Sequence, residues 1–350
     1  MHASPERLIG LVAAIFTALK LPVDAARVVA AALVDADLEG IPSHGLMLLP
    51  MYAERIRAGS VSVCTEAVVA SDRGSAIVLD AQNMLGQLSS RQAVQLLIGR
   101  APVHGLAAVA VRNGFHFGTA GKWAADLAAH GLLGIVMSNT RPLMPAPGGA
   151  ERVVGNNPLA IAIPAAGREP VVFDMATSAS AMGKIRLAAG AGQPIPEGWA
   201  TDAKGQSTTD AAEAIKGMLL PAAGPKGFGL AFMIDLLCGG LSSGAIADAV
   251  RPLYGDPALT YGCAHFFLAI DVEYFCPRTV FEDAAGAFAG RVEASARAPG
   301  VERVFAPGGP AIRTRLANAT ACPLAADTVK QLTALASSLG VSTDNIFQNA

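Results

Sequence analysis

Two histidines, His44 and His116, stand in short glycine-containing turns that a packed core does not require. His44 belongs to residues 40–45 (GIPSHG), between two helical patterns, and His116 to residues 113–118 (NGFHFG), between a strand pattern and a helical pattern. Because an imidazole with a pKa of about 6.5 gives or takes a proton near neutral pH, two of them in separate loops predict a proton-transfer site. The alternative is a pair of hydrogen-bonded structural histidines. The other histidines lack such a setting: His2, His104, His130 and His265.

Gly114, Gly118 and Gly121 follow a predicted strand at 107–111 and open a predicted helix. Their spacing differs from the Gly-x-Gly-x-x-Gly fingerprint of a Rossmann dinucleotide site. A strand, a glycine-rich turn and a helix can nevertheless bind an anion, because free backbone N–H groups and the positive end of the helix point at it. The alternative is a turn that needs glycine only for a positive φ.

A second polar, glycine-rich segment separates two predicted strands. It contains residues 138–142 (SNTRP), 147–149 (PGG) and 155–158 (GNNP). Connections in compact domains usually have about 2–6 residues, so the length of this one predicts a shaped loop that contacts a ligand. The alternative is an ordered surface loop.

Two charged residues, Asp174 and Lys226, stand at the start of turns or helices where a nucleotide can be bound. Asp174 ends an apolar strand just before Thr177 and Ser178, where it can accept a hydrogen bond from a ribose hydroxyl or act only as a cap or turn residue. Lys226 opens an apolar helix beside glycines, where it can contact a phosphate or remain solvated. Residues 224–227 lack the Gly-Lys pair and the following Ser/Thr of a P-loop.

The elements that must position these residues form a helical N-terminal part followed by a mixed α/β region. Residues 5–58 predict three helices, and further helices are predicted at about 89–100, 119–130 and 227–241 and in the tail from about 322. Short β-branched runs predict strands at 76–79, 107–111, 134–137, 160–163 and 171–173. We expect residues 1–75 to form a helical part that packs with a C-terminal helix in 305–350. Residues 76–304 would then form a central α/β cofactor-binding domain.

The composition indicates a chain that buries much of its surface. Of its 350 residues, 52% are hydrophobic and 15% charged, against a typical charged share of roughly 25%. So little charge predicts a subunit interface, and we expect a homodimer. The net charge of −2 gives no electrostatic basis for binding nucleic acid or an anionic membrane.

Two apolar segments are candidates for membrane spans, since the mean hydropathy of the chain is +0.42. Residues 8–19 are too short, since a spanning helix needs about 20 apolar residues. Residues 227–248 are long enough, but Asp235 lies in the middle of them and glycines and serines interrupt them. A central Asp costs about 2.5–3.5 kcal/mol even on a lenient insertion scale, so the sequence predicts a buried helix and a soluble protein.

The five cysteines form no Cys-x-x-Cys pair and are odd in number. They are Cys64, Cys238, Cys263, Cys276 and Cys322. This pattern is typical of reduced cysteines in a cytoplasmic protein. No His/Cys cluster has the spacing of zinc ligands, so the sequence predicts no metal site.

The motifs described above, with several others, resemble the malate/L-lactate dehydrogenase-like family in type and in order. They are residues 43–45 (SHG), 116–118 (HFG), 138–142 (SNTRP), 147–149 (PGG), 155–158 (GNNP), 174–178 (DMATS), 183–184 (GK), 195–199 (IPEGW), 208–210 (TTD) and 224–229 (GPKGFG). The family includes ureidoglycolate, sulfolactate and 2,3-diketogulonate oxidoreductases and reductases of cyclic 2-imino acids. The resemblance covers residues 5–315 and implies an α/β fold distinct from the Rossmann fold, of the sulfolactate dehydrogenase type.

The resemblance also implies roles for individual residues. Proton transfer would fall to His44, oriented by Ser43, and to His116, and family members differ in which histidine acts. The implied cofactor-binding residues are His116, Phe117, Gly118, Thr119, Ala120, Thr140, Asp174, Met175, Ala176 and Lys226. The implied substrate-binding positions are Leu48, Tyr52, Arg141, Asn156, Met182 and Gly183.

Four positions bear on the substrate through their departure from, or agreement with, the family pattern. Leu48 stands where the family usually has an arginine that binds the substrate carboxylate, and Asn156 stands where many relatives have threonine. Because the loss of a charged bidentate contact would leave the carboxylate poorly held, we hypothesise that Arg141 binds it from another side. Lys184 is the usual family residue, whereas some imine-reducing members have Asp there.

These features predict an NAD- or NADP-dependent oxidoreductase that acts on C2 of a small 2-hydroxy or 2-oxo acid. A histidine at the substrate oxygen would exchange the proton, and the nicotinamide would exchange the hydride. The alternative reaction is reduction of a cyclic 2-imino acid such as piperideine- or pyrroline-2-carboxylate. A third reading, kept open by Leu48, is a homologue that binds a nucleotide without turning it over. The substrate's side chain, its stereochemistry and the choice between NAD and NADP stay undetermined by the sequence.

Overall fold

The computed structural model describes residues 1–348 and shows helices at both ends of the chain and on both faces of a central sheet. The helices are α1 (Pro5–Ala18), α2 (Val23–Leu38), α3 (Leu49–Arg57), α4 (Gly86–His104), α5 (Ala120–Ala128), α6 (Met182–Gly190), α7 (Ala211–Lys216), α8 (Pro225–Asp235), α9 (Arg278–Glu293), α10 (Gly309–Ala317) and α11 (Ala326–Ser338). Short 3₁₀ turns occupy Pro42–His44, Leu46–Leu48, Ala247–Ala249 and Val272–Tyr274, and a π-helical turn at Leu236–Gly240 extends α8.

The strands form one large sheet and two small ones. They are β1 (His2–Ala3), β2 (Val68–Asp72), β3 (Ala76–Asp80), β4 (Leu106–Gly114), β5 (Leu132–Ser138), β6 (Leu159–Ile163), β7 (Val171–Met175), β8 (Ala200–Thr201), β9 (Ser207–Thr208), β10 (Met218–Leu219), β11 (Cys263–Asp271) and β12 (Cys322–Pro323). The large sheet has the order β2-β3-β4-β11-β5-β6-β7, and the small sheets have the orders β10-β8-β9 and β1-β12. Only β3 and β4 pair in parallel within these sheets.

The strand directions bring several loops to one edge of the large sheet. β11 runs antiparallel to both β4 and β5, and β6 runs antiparallel to β5 and β7. The carboxyl ends of β4, β5 and β7 therefore share an edge with the amino ends of β6 and β11. The segments after Gly114, Ser138 and Asp174 meet there, as do the residues before Leu159 and Cys263.

The five predicted strands are confirmed as β3, β4, β5, β6 and β7. The sequence prediction missed β11, which lies in the middle of the sheet between β4 and β5. Most of its residues are buried, so the apolar run shows little of the alternation that identifies a half-exposed strand. It also missed β2, an edge strand with largely exposed residues.

The predicted helices are confirmed in position, with three corrections to their ends. The third N-terminal helix, α3, begins at Leu49, because two 3₁₀ turns occupy the segment after Pro42. The helix expected at 227–241 ends its regular α-helical part at Asp235. The C-terminal helix begins at Ala326, because β12 precedes it and pairs with β1.

One large hydrophobic cluster extends from α1, α2 and α3 through α4 and α5 to the sheet. A smaller cluster around α6, α7 and the β8–β10 sheet is separate from it and includes Met144, Ile185 and Ile195. The chain ends lie together, with α11 against α3 and α10 against α2. The large cluster thus joins the N-terminal helices to the sheet. The division of the chain at residues 75 and 304 into a helical part and an α/β domain stays a prediction.

The two apolar segments at residues 8–19 and 227–248 form part of this fold. Residues 8–19 lie mostly in α1, and Asp235, which closes α8, is 5% exposed. Within residues 1–348, no helix combines the length and the apolar character needed to cross a bilayer.

Candidate active site

A cavity of about 270 Å³ lies at the shared edge of the large sheet. Residues that the sequence assigned to proton transfer, to cofactor binding and, for Asn156, to substrate binding line much of it. They are His44, His116, Phe117, Gly118, Thr119, Ala120, Thr140, Asn156, Asp174, Met175 and Ala176. The other lining residues are Ile41, Ser138, Pro158, Ala181, Tyr261 and Cys263. Segments distant in sequence therefore meet at one cavity, while the roles of their residues stay predictions.

His44 stands in the 3₁₀ turn after α2, with its ring beside that of His116. The two ring centroids are 5.3 Å apart, and the planes are inclined by 34°. The Ser43 hydroxyl lies 3.0 Å from His44 Nδ1. This contact fits the orienting role expected of Ser43. Burial lowers the pKa of His44 below its ordinary value.

Asp37, which sequence reasoning missed, fixes the turn that carries His44. Its side chain is 5% exposed, and its Oδ2 accepts a hydrogen bond from the Leu46 backbone N–H at 2.7 Å. A Cβ atom at Gly45 would lie 2.2 Å from the same oxygen, so glycine allows this close approach. Burial raises the pKa of Asp37 to about 6, and the Leu46 N–H opposes the shift. The only sequence signal was an acidic residue on the otherwise apolar face of α2.

Tyr52, a residue of α3, lies within hydrogen-bonding distance of His116. The Tyr52 Oη atom is 2.8 Å from His116 Nδ1 and 3.2 Å from the His116 carbonyl oxygen. Tyr52 is fully buried, and Gln87 Nε2 donates to its hydroxyl oxygen at 3.2 Å. Tyr52 was expected to contact substrate; in the structure its hydroxyl contacts the catalytic histidine candidate and does not line the cavity.

These contacts favour one tautomer of His116. The Tyr52 hydroxyl has a single proton, and donating it to the His116 carbonyl leaves its oxygen to accept from Gln87 and from His116 Nδ1–H. All three contacts are satisfied only with the proton on Nδ1, and Nε2 then carries a free lone pair. Burial, reinforced by His44 and His265, lowers the pKa of His116 well below its ordinary value. His116 is therefore neutral near pH 7 and suited to accept a proton.

His265 lies beside this site. The sequence predicts no role for it, because it lacks a turn motif. It is fully buried on β11, with Nδ1 2.9 Å from the Ser138 hydroxyl and Nε2 3.2 Å from the Phe115 carbonyl oxygen. Gln87 and Tyr261 were missed as well. Their roles depend on strand order and helix packing, for which the local sequence gives no signal.

The segment expected to bind the cofactor forms a concave surface beside the histidines. Gly118 has φ +87°, a conformation that favours glycine. Asp174 Oδ2 accepts from the Gly121 N–H, the second residue of α5, at 2.8 Å. A Cβ at Gly121 would lie 2.8 Å from that oxygen. The Asp174 carboxylate thus occupies the N-terminus of α5, and a bound nucleotide would meet its second oxygen and the lining residues 116–120. A carboxylate beside a glycine-containing turn fits the ribose of a nicotinamide cofactor.

Asp174 keeps part of its side chain exposed along the cavity while one oxygen is tied to α5. The protein around its carboxylate removes enough water to raise its pKa to about 6, and the Gly121 N–H opposes that shift. Since Gly121 engages Oδ2, Oδ1 is available to accept from a ribose hydroxyl. The cap role and the ligand role considered for this residue are thus compatible.

A buried polar network holds the loop that carries Thr140. The Asn139 side chain donates to Asp235 Oδ1 at 2.8 Å and accepts from the Ala264 N–H at 2.7 Å. Asn157 Oδ1 accepts from the Thr140 N–H at 2.8 Å. The Thr140 hydroxyl also donates to Asn156 at 3.1 Å. Asp235, the residue that argued against a membrane span, therefore anchors a loop of the cavity.

Arg141 directly follows Thr140 and is half-buried. Its pKa is lowered first by burial and then by two other arginines, Arg152 and Arg186, whose charges act on it. Tyr261, which lines the cavity, acts in the opposite direction. Among the described residues, no carboxylate forms an ion pair with Arg141. A cationic group without a protein counter-ion therefore lies close to the cavity.

Several predicted substrate and cofactor residues lie outside the cavity lining, and Arg141 is one of them, although its neighbour Thr140 lines the cavity. Leu48 is 1% exposed and packs in the large hydrophobic cluster. Met182 and Gly183 begin α6, and Met182 packs against the smaller cluster. Lys226 is exposed in the first turn of α8. Its neighbours Gly224 and Pro225 line a second cavity, of about 520 Å³, together with residues 145–150.

The arrangement at the main cavity is suited to moving a proton. Two neutral histidines face each other, and each has one ring nitrogen engaged by a neighbouring hydroxyl. Within residues 1–348, no three His, Cys, Asp or Glu side chains are grouped to hold a metal ion.

Comparison with known proteins gives the chain relatives over almost its whole length. The family model described as malate/L-lactate dehydrogenase matches residues 3–333. The malate dehydrogenase of Pyrococcus abyssi is 36% identical over 308 residues, which cover 86% of this chain and 84% of that protein. The (2R)-3-sulfolactate dehydrogenase (NADP(+)) of Chromohalobacter salexigens is 38% identical over 265 residues, covering 76% of this chain and 79% of that protein.

The fold is that of solved relatives. The structure of sulfolactate dehydrogenase from Methanocaldococcus jannaschii matches with a TM-score of 0.94 at 30% identity, covering 99% of this chain and 100% of that one. The α/β fold expected from the motif order is therefore confirmed. The chain belongs to the malate/L-lactate dehydrogenase family.

Proposed function

We propose that this protein is an NAD(P)-dependent oxidoreductase that transfers a hydride between nicotinamide and C2 of a small 2-hydroxy or 2-oxo acid. The observation that carries the proposal is the pair His44–His116 beside a concave, glycine-lined surface at one cavity. The relatives support the class of reaction, since they are named as malate and sulfolactate dehydrogenases, one of them with NADP(+). Either NAD or NADP is compatible with this site.

His116 is the proposed acid/base, because its Nε2 is the ring nitrogen that the Tyr52 contact leaves free. When bound, the nicotinamide accepts a hydride from the alcohol or gives one to the ketone. His116 Nε2 takes the hydroxyl proton in the oxidation and returns it in the reduction. Tyr52 and Gln87 hold the ring in the required tautomer.

His44, oriented by Ser43, lies against the His116 ring and narrows the space open to water. Its Nε2, which the Ser43 contact leaves free, offers a second hydrogen-bonding group to the substrate oxygen or to the proton leaving His116. We assign it to proton transfer alongside His116, as the sequence predicted.

Arg141 is the proposed anchor of the substrate carboxylate. Its guanidinium has no protein carboxylate partner among the described residues. Leu48, which stands where the family pattern has the carboxylate-binding arginine, is uncharged and buried in the large hydrophobic cluster. A guanidinium binds a carboxylate through two parallel hydrogen bonds. Asn156 and Thr140, the residue before Arg141, line the cavity, and Asn156 can contact the substrate there.

The test is a substrate panel followed by the absorbance of reduced nicotinamide, with NADH and NADPH assayed separately. Small 2-oxo acids, including dicarboxylates and a sulfonated acid, should oxidise one of the two cofactors. Cyclic 2-imino acids form the second arm, and faster turnover there would replace the 2-oxo acid assignment by the imine alternative. Tight cofactor binding without turnover of any member would support the non-catalytic homologue.

We further propose a homodimer that covers the outer face of α8. Its inner residues Ala231 and Ile234 are buried, whereas Phe232 and Met233 are 50% and 54% exposed. In a chain with 15% charged residues, such a face favours a second copy. Light scattering at micromolar concentration should give twice the chain mass, and Met233→Glu should shift it towards the monomer. Val103→Glu, at another exposed apolar position, is the matched control; a monomeric wild-type protein would contradict the proposal.

A reducing, cytoplasmic compartment belongs to the same proposal. The structure pairs none of the five cysteines in a disulfide among the residues that it describes, and three are buried. Thiol titration of the unfolded protein, purified without reductant, should give all five as free thiols. A lower count would indicate an oxidised pair.

A further inference from the structure

His265 occupies the middle of the sheet at the point where the two loops of the cavity begin. β11 lies between β4 and β5, and in the register of the sheet His265 pairs with Val111 on one side and Ser138 on the other. β4 leads to His116, and β5 leads to Thr140. A side chain at this position can therefore contact both loops at once.

The hydrogen bonds of His265 do contact both loops. Its Nε2 lies 3.2 Å from the carbonyl oxygen of Phe115, and its Nδ1 lies 2.9 Å from the hydroxyl of Ser138. Since a carbonyl can only accept, Nε2 carries the proton and Nδ1 accepts from Ser138. Phe115 directly precedes His116, and Ser138 directly precedes the network residue Asn139.

The ring of His265 also contacts the residue that follows His116. Phe117 stacks on it with a centroid distance of 4.3 Å and an interplanar angle of 8°. Gly114 allows the approach from the other direction, since a Cβ there would lie 2.8 Å from His265 Nε2. The residues on both sides of His116 are thus fixed to one buried ring.

We propose that His265 is a positioning residue that fixes His116 relative to the cofactor loop at 138–140. This proposal rests on the proposed function for its effect on catalysis, although the placement of His116 can be measured without turnover. His265 itself moves no proton in the reaction: it is fully buried, both ring nitrogens are engaged, and burial lowers its pKa to about 4. It stays neutral and keeps one tautomer through the working pH range.

The cofactor loop has a second anchor, which separates the two functions of the site. Asn139 is held by Asp235 and by Ala264, and Asn157 holds the Thr140 N–H. Loss of the His265 hydrogen bonds, with a flat ring kept for Phe117, should therefore disturb the placement of His116 while cofactor binding is preserved. A general structural defect would affect both.

The experiment compares His265→Phe, which keeps a flat ring for Phe117 but loses both hydrogen bonds, with His265→Gln, which restores a donor and an acceptor. His130→Gln, at an exposed histidine in the turn after α5, is the matched control. In His265→Phe, kcat should fall about 10- to 100-fold, the scale of a small misplacement of a catalytic group. The Kd of the reduced cofactor should change less than about 3-fold, and His265→Gln should recover part of kcat.

NMR titration of the His116 ring provides the measurement that needs no turnover. Its neighbours with titratable groups are His44 from the 3₁₀ turn, Tyr52 from α3 and His265 from β11, with Cys263 and Tyr261 on the same cavity wall. Burial lowers the pKa of His116 and His265 adds to that effect, so His265→Phe should raise that pKa even with an unmoved loop. Ser138→Ala keeps His265 and removes only its Nδ1 partner, so a rise in the pKa of His116 in that variant reports a loosened loop that admits water. In the control that pKa should not move.

The outcomes separate the two proposals. A wild-type protein without turnover in the substrate panel would refute the proposed function, while a shifted His116 titration in Ser138→Ala, which keeps His265, would still support the positioning role. Unchanged kcat in folded His265→Phe together with an unchanged His116 titration in Ser138→Ala would refute the positioning role alone. If His265→Phe does not fold, Ser138→Ala removes only the Nδ1 partner and should give a smaller shift in the same titration; its absence would overturn the proposal.

Discussion

The two sides of the main cavity differ in how completely the protein itself satisfies their polar groups. On the histidine side, His116 contacts Tyr52, Tyr52 contacts Gln87, and Ser43 contacts His44. On the arginine side, Arg141 has no carboxylate partner among the described residues, and the charges of two other arginines act on it. The protein therefore holds one nitrogen of each histidine ring and leaves the other for chemistry, whereas it leaves the charge of Arg141 for a ligand to satisfy.

The difference follows the two hydrophobic clusters of the molecule. Tyr52, Phe115 and Phe117 belong to the large cluster that joins the N-terminal helices to the sheet. Arg152 and Arg186 lie in segments next to the smaller cluster around α6 and α7. Groups that must hold a reacting atom in place are best fixed by a rigid core. On the proposed assignment, the proton-transfer residues are held by the large core, and the charges around the proposed substrate anchor lie beside the smaller one.

The strongest test of the histidine side is removal of either ring. His116→Ala and His44→Ala should each remain folded, because both residues lie in turns outside the helices and strands that form the core. Each should reduce turnover about 100-fold or more, the usual scale for one general acid/base. Steady-state kinetics on the best substrate of the panel, with His130→Ala as the control, gives the comparison. Near-normal activity in both variants would place the chemistry elsewhere.

The sequence predicted the histidine side better than its supports. The sequence pointed to His44 and His116 because each stands in a short glycine-containing turn, although Gly45 and Gly114 of those turns also allow close packing of Asp37 and His265. Asp37, Gln87 and His265 were missed, because they lie within a helix or strand and are buried like core residues. Their contacts depend on which strand pairs with which. Nothing in the local pattern of residues 263–271 indicates that this strand inserts between β4 and β5.

The same limit explains Leu48 and Tyr52. Motif order placed both at substrate positions, but motif order carries no information about which way a side chain points. Both are buried in the large cluster, and neither lines the cavity. For Tyr52 the sequence located a residue of the site and missed its partner, since His116 is 64 positions away in the chain.

The arginine side is tested by Arg141→Ala. If Arg141 holds the substrate carboxylate, KM for carboxylate substrates should rise about 10- to 150-fold, the equivalent of a charged hydrogen bond of about 1.5–3 kcal/mol. The Kd of the cofactor should stay close to that of the wild-type protein. Arg100→Ala is the matched control, since that arginine pairs with Asp72 on the opposite edge of the sheet.

Two further outcomes sharpen this test. Arg186→Ala should raise KM less than Arg141→Ala, because Arg186 acts on the site only through its charge. If Arg141→Ala is silent and neutral carbonyl compounds outperform 2-oxo acids, the carboxylate anchor and the 2-hydroxy acid assignment are both wrong. The histidine side would be unaffected by that result.

Tyr52→Phe tests how much the hydrogen bond between Tyr52 and His116 contributes to kcat, compared with the His116 ring itself. The change removes the hydroxyl that fixes Nδ1 and leaves the Gln87 N–H without its acceptor. An unsatisfied buried group costs about 1–3 kcal/mol of unfolding free energy, and we expect kcat to fall about 10-fold because the favoured tautomer is lost. Tyr274→Phe, at an exposed tyrosine, is the control. Unchanged kcat with lowered stability would restrict Tyr52 to packing.

The smallest effect expected is in the pH dependence of the oxidation. His116 must be neutral to accept the hydroxyl proton, and it is neutral at every pH above its pKa. Because burial lowers that pKa well below 6.5, the acid limb of kcat should lie below pH 6.5, and activity should persist as pH falls through 6.5. The assay uses saturating cofactor, since Asp174, with a pKa of about 6, takes up a proton in the same range. A limb centred at 6.5 or above would show that the base is a solvated histidine or another group.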